Sequence, residues 1–178
     1  MRSDKQIKYE IINKRPIYLC GFMGCGKSTV GRRLAEIVGY NFVDLDRYIE
    51  KHSGMTIAEI FNTYGEEHFR KLESEYIGGF QDGVVVALGG GAILREENAV
   101  CANSIGEVVL IDTKFEMCYR RISGDIRRPI AYNLSEEQLR ALYNTRMVKY
   151  KAAASIVING NEPQIVVAKN IAKALINK

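Results

Sequence analysis

Residues Gly21-Phe-Met-Gly-Cys-Gly-Lys27-Ser28 follow the spacing G-x-x-x-x-G-K-S. Glycines at those positions let a loop curl so that successive backbone N–H groups point at one phosphate. Lys27 is placed to reach the β- and γ-phosphates of a nucleotide, and the Ser28 hydroxyl can coordinate Mg2+. Gly24, Cys25, Gly26, Lys27, Ser28 and Thr29 are therefore the candidate contacts for ATP. Asp44 and Asp46 form a second constellation. Two carboxylates that close repel each other unless a cation or ligand separates them, so Asp44 is expected to face the metal and Asp46 a substrate hydroxyl. The plainer alternative is a helix start, which Asp caps well. Gly89-Gly90-Gly91 costs chain entropy and is expected where backbone must approach a ligand closely. Arg120, Arg121, Arg127 and Arg128 surround Ser123-Gly124-Asp125. They make either a solvated basic loop or a lid that brings guanidinium groups onto phosphoryl oxygens. Glu66–Glu73 reads, on spacing alone, as a solvated helix face with Glu66–Arg70 and Arg70–Glu73 pairs.

These residues need a scaffold, and the hydrophobic pattern supplies one. Short apolar runs at Ile17–Cys20, Asn41–Asp44, Val84–Leu88, Gly106–Asp112 and Ser155–Ile158 read as buried strands. Helical spacing covers Ser28–Val38, Arg47–Lys51, Ile57–Tyr64, Glu66–Phe80, Phe115–Ile122, Ser135–Ala154 and Pro163–Asn177, with Gly39, Gly54 and Gly65 as breaks. Strands alternating with helices imply βαβ units and a parallel sheet covered on both faces, whose ligands bind beyond the carboxyl ends of the strands. The glycine loop, the Asp pair and the triple glycine each follow a strand, at that end of the sheet.

Composition bounds the rest. The 178 residues suit one domain, spanning 1–178. Hydrophobic residues are 47% and charged residues 26%, ordinary for a globular chain, so a fibrous or disordered chain is excluded. Lys+Arg number 25 against 21 Asp+Glu, and 25 − 21 gives +4. That mild basicity suits an anionic small ligand, whereas nucleic acid would ask for a denser basic stripe with stacking aromatics. No apolar run approaches the ~20 residues of a membrane span. Cys20, Cys25, Cys101 and Cys118 form no C-x-x-C, so a zinc site is not expected and reduced thiols in a cytoplasmic protein are.

In this order the motifs resemble the shikimate kinase family. They are the Gly21–Ser28 loop, Asp44-Leu45-Asp46, G-E-x-x-F-R-x-x-E at Gly65–Glu73, the triple glycine, Arg128-Pro129 and Arg146-x-x-x-Tyr150. The resemblance runs from about Ile17 to the C-terminus. It implies a three-layer α/β/α fold like that of nucleoside monophosphate kinases, with a central five-stranded parallel sheet and an Arg-containing lid over about 120–134. It implies transfer of the γ-phosphoryl of ATP to the 3-hydroxyl of shikimate with Mg2+, a step in aromatic amino acid (chorismate) biosynthesis, by a monomer.

By the same resemblance, Asp46 binds the ring hydroxyls and orients or deprotonates the nucleophile. Arg70 and Arg146 hold the substrate carboxylate, and Glu73 orients Arg70. The Gly89–Gly91 backbone contacts the substrate. Ser28 and Asp44 serve the metal, and Arg121 and Arg128 the ATP phosphates, so Lys27, Asp46 and Arg128 are the expected catalytic residues. The sequence departs from the family's pattern in two places: Val148-Lys149-Tyr150 stands where Pro-Leu-Tyr is usual, and Asn159–Pro163 lacks an Arg against adenine. Residues 1–15 precede the usual start. Chemistry alone leaves a gluconate kinase or a nucleoside monophosphate kinase open, since both share the loop and a lid. A non-catalytic nucleotide-binding regulator is disfavoured by the presence of Lys27, Asp46 and Arg70.

Overall fold

The computed structural model describes residues 14–124 and 132–176. Five strands form one sheet: β1 (Ile17–Cys20), β2 (Asn41–Asp44), β3 (Val84–Ala87), β4 (Glu107–Asp112) and β5 (Ile156–Asn159). Their order across the sheet is β2-β3-β1-β4-β5, and every pairing is parallel. β1 lies in the middle and is buried throughout, as its uninterrupted apolar run predicts. Its side chains alternate between two covered faces. The Tyr18 hydroxyl donates to the Ile77 carbonyl at 2.7 Å, whereas Leu19 turns the other way, against the helix that carries Gly31.

Eight α-helices stand among the described residues: α1 (Lys27–Val38), α2 (Leu45–Ser53), α3 (Ile57–Tyr64), α4 (Glu66–Gly79), α5 (Glu96–Ile105), α6 (Phe115–Ile122), α7 (Glu136–Ala153) and α8 (Gln164–Ile176). α1 packs with α8, and α4, α5 and α7 form a second group, so the expected α/β/α layering holds. Helix α1 comes close to the sheet because a Cβ on its mid-helix Gly31 would sit 2.6 Å from the Phe42 ring. Ser135 and Thr56 begin α7 and α3 with capping boxes, each satisfying two N–H groups that a helix start leaves unpaired.

Two α-helices depart most from the sequence expectation. Helix α5 is absent from it. Its inward residues are mostly small, with Ala102 and Asn98 buried, so the chain there carries little apolar periodicity. It is stabilised by non-local contacts: Asn98 donates to the Ala92 carbonyl at 2.7 Å, and Arg15 donates to the Ser104 and Ile105 carbonyls at its C-terminus at 2.6 and 3.2 Å. Arg15, within the N-terminal extension, thereby has a structural task. Helix α2 starts at Leu45 rather than Arg47, which puts Asp46 on its first turn. Of the lid expected over 120–134, residues 125–131, Arg128 among them, lie outside the described residues.

Candidate active site

Three turns at the carboxyl end of the sheet converge on one cleft. The first follows β1. Gly24 and Gly26 take positive φ values of 82° and 102°, conformations that a side chain disfavours. A Cβ on Gly24 would also lie 2.7 Å from the Cys118 carbonyl oxygen, so this turn packs tightly on α6. Gly26 hands the chain directly to α1, whose first turn contains no acidic residue. The positive end of that helix is therefore free to meet an anion from outside. Lys27 Nζ donates to the Gly21 and Phe22 carbonyls at 2.8 and 3.3 Å, partners that a phosphate must replace. Arg121 donates to the Gly24 carbonyl at 2.9 Å, which brings its guanidinium beside the loop. Cys25 is buried, and its N–H donates to the Phe22 carbonyl at 3.1 Å. Its thiol does not line the cleft but lies 3.8 Å from Lys27 Nζ, behind the loop.

The second turn joins β2 to α2. Asp44 occupies the N-cap position of α2 yet makes no side-chain cap there. Its Oδ2 instead accepts from the Ser28 hydroxyl at 2.7 Å, which removes the simple capping explanation. A hydroxyl beside a carboxylate suits Mg2+, which takes one or two protein oxygens and completes its shell with water and phosphate. The Asp46 carboxyl is raised above the usual carboxylate range. Burial is the largest cause, the neighbouring Asp44 charge adds to it, and Lys27 opposes it.

The third turn is Gly89–Gly91 after β3, and each glycine makes room for a different side chain. A Cβ on Gly89 would fall 2.6 Å from Asp46 Oδ1 and 3.2 Å from Glu73 Oε1. One on Gly91 would fall 2.7 Å from Arg70 Nη1. Gly90 faces Arg146, whose Nη1 lies 3.5 Å from that position. The Arg70 guanidinium is held from two sides, by Glu73 Oε2 at 2.7 Å and Glu66 Oε1 at 2.8 Å. Both pairs anticipated for a solvated face are present, but they aim Arg70 into the cleft. Glu73 is buried, and burial pushes its carboxyl up to about 6 against the pull of Arg70.

These groups line two adjoining cavities. One, of about 370 Å³, is bounded by the glycine loop, Lys27, Ser28, Thr29, Asp44 and Arg121. The other, of about 220 Å³, is bounded by Arg70, Glu73, Gly91, Arg146 and the rings of Phe61 and Phe69. Met23, Asp46, Gly89 and Gly90 belong to both. The structure thus joins every described candidate except the Cys25 side chain. Val148 does not disturb Arg146: α7 continues through it, and its side chain points outward, 71% exposed. Residues that sequence reasoning missed are Met23, at a variable position of the loop, the apolar floor of Phe61 and Ile57, and Gln164 at the start of α8. An exposed ring at Phe61 beside an arginine helix is a signal available only once the helices are placed. The Asn159–Pro163 loop is tied to the end of β4 by Asn161, whose Oδ1 accepts from the Lys114 N–H at 2.9 Å.

Comparison with known proteins points to one family. A family model described as shikimate kinase matches residues 23–176. The shikimate kinase of Geobacter sulfurreducens is 44% identical over 142 residues, 78% of this chain and 78% of that protein. The solved structure of shikimate kinase from Acinetobacter baumannii in complex with shikimate matches with a TM-score of 0.84 and 35% identity, covering 92% of this chain and 93% of that one. A gluconokinase from Sinorhizobium meliloti matches with a TM-score of 0.57 and 16% identity, over 92% of this chain and 93% of that one, and shares the fold alone.

Proposed function

The chain belongs to the shikimate kinase family, and from that premise we propose how its own residues move the γ-phosphoryl of ATP onto the 3-hydroxyl of shikimate. The observation that carries the reading is the wall shared by the two cavities. It sets a phosphate-binding loop and a pair of arginines on either side of one carboxylate, Asp46.

The triphosphate lies against the N-terminus of α1, with Lys27 on its outer phosphates and Arg121 beside the loop. Ser28 and Asp44 would hold Mg2+, which would supply positive charge against the phosphoryl oxygens. Arg70 and Arg146 take the acid's carboxylate, a planar anion that guanidinium forks grip better than an ammonium does. Glu73 and Glu66 fix the Arg70 fork. Asp46 then faces the ring hydroxyls. As the hydroxyl oxygen bonds to the γ-phosphorus, the bond from that phosphorus to the β–γ bridging oxygen breaks. The hydroxyl proton passes to Asp46, whose raised affinity for a proton favours that direction. Arg128 is assigned to the ATP phosphates by family resemblance. We further propose a single-domain monomer that works in the cytoplasm, with no nucleic acid or membrane partner. Among the described residues, no helix is long and apolar enough to cross a membrane.

The test is ADP release from ATP–Mg2+ with shikimate, gluconate and AMP offered separately. Turnover with shikimate alone is expected. Turnover with gluconate or AMP alone would overturn the carboxylate-clamp assignment and leave the phosphate site standing.

A further inference from the structure

We propose that Tyr150 is a positioning residue for the acid-binding cavity, setting the Gly89–Gly91 turn and the Arg146 guanidinium in one register. This inference rests on the assignment of Arg146 to the substrate carboxylate.

Tyr150 is fully buried on α7, and its hydroxyl donates to the Gly90 carbonyl at 2.6 Å. Hydroxyl and carbonyl belong to elements far apart in the chain, so the bond ties the helix to the turn. Arg146 precedes Tyr150 by four residues, one helical turn, and so lies on the same side of α7. Both side-chain tips converge on Gly90: a Cβ there would lie 3.5 Å from Arg146 Nη1 and 3.8 Å from the Tyr150 oxygen. Gly90 also lies between Gly89, packed on Asp46 and Glu73, and Gly91, packed on Arg70. A shift of this turn therefore moves the nucleophile's carboxylate and both arginines relative to one another.

The bond is also durable. Burial pushes the phenol above its ordinary range, so it remains a donor at any working pH. A three-glycine turn has few conformational restraints of its own, and Tyr150, on the buried side of α7 with Met147 and Ala153, is a rigid place to supply one. The substrate makes the same demand, because a guanidinium fork misplaced by about 1 Å loses much of its bidentate grip.

The experiment compares steady-state constants of the whole enzyme with those of Tyr150→Phe and Arg146→Ala. Tyr150→Phe keeps the ring and removes the hydroxyl, leaving the Gly90 carbonyl without that donor and Arg146 without that acceptor. The expected result is a rise of about tenfold in the KM for shikimate, with the KM for ATP within about twofold of the parent. KM does not depend on the fraction of enzyme that is folded, so a lower yield of the variant leaves the comparison intact. A purely structural role would lower the apparent kcat and leave both KM values in place, and that result overturns the proposal. If Arg146→Ala raises the shikimate KM and Tyr150→Phe does not, the positioning proposal alone fails. If Arg146→Ala leaves the shikimate KM unchanged, the carboxylate assignment fails first and the proposal with it. In the double variant Tyr150→Phe/Arg146→Ala, the shikimate KM should rise by less than the product of the two single effects, because part of what Tyr150 positions is Arg146 itself. Multiplying effects would count against the proposed coupling.

Discussion

Replacing Glu73 with Gln should make the protein more stable and a poorer kinase at once. Glu73 is almost fully buried, with 1% of its side chain exposed. Burial, opposed by the Arg70 bond and reinforced by the Asp46 charge, moves its carboxyl from 4.5 to about 6. That displacement corresponds to about 2 kcal/mol favouring the neutral form in the folded state. The folded state holds this proton more tightly than the unfolded chain does. The associated stability is thus fully present below about pH 4.5 and is lost as the pH rises through about 6. Gln resembles the neutral form in shape and never ionises. The variant should match the parent near pH 4.5 and gain about 2 kcal/mol by pH 8, a rise of about 5 °C in Tm for a chain of this size. Gln also withdraws the charge that holds Arg70 at 2.7 Å, while Glu66 keeps hold of the other side. The shikimate KM should then rise about tenfold, with the ATP KM little changed. Thermal unfolding at pH 5 and pH 8 checks the first half, and initial rates at pH 8 the second. A variant less stable than the parent at pH 8, or a stability gap that does not widen with pH, would refute the account of Glu73 as a strained orienting group.

Arg70→Ala should raise the KM for shikimate about a hundredfold or more while ATP binding, followed by titration with the nucleotide, stays within about twofold. Gly91→Ala should fold, because Gly91 has a φ of −102° that alanine accepts and the clash at 2.7 Å is with the tip of a flexible side chain. Its Tm should stay within about 2 °C of the parent, while the displaced Arg70 raises the shikimate KM about tenfold; a collapse in stability with unchanged KM would contradict this. Asp44→Asn should raise the Mg2+ concentration for half-maximal rate about tenfold and leave the shikimate KM near the parent value, as a magnesium titration would show.

Much of this could be read from the chain. β1 and β3 are short, wholly apolar runs ended by glycine, because a strand covered on both faces has no polar side to display. The phosphate loop was legible because its glycines serve backbone geometry, which spacing records. Arg70 was ambiguous: Glu66 and Glu73 are its partners whether it faces water or a ligand. Only the packing of α4 against the third turn decides between them. The Asp46–Glu73 proximity joins residues of different helices and has no linear signature. Helix α5 was hidden for a related reason, since Asn98 and Ala102 contribute shape and hydrogen bonds rather than hydrophobic contrast.

Asp46, Gly89, Gly90 and Met23 bound both cavities, so the two cavities meet at one thin rim of shared residues. A single inhibitor could therefore carry a polyphosphate at one end and a carboxylic acid at the other, with only a short tether between them. Binding one end would hold the second at high effective concentration over its own cavity. The tether would have to pass Met23, the flexible unbranched side chain at the junction, which can rearrange around an added group. Selectivity over other phosphate-loop kinases would come from the arginine end, since the glycine-loop end uses features they share.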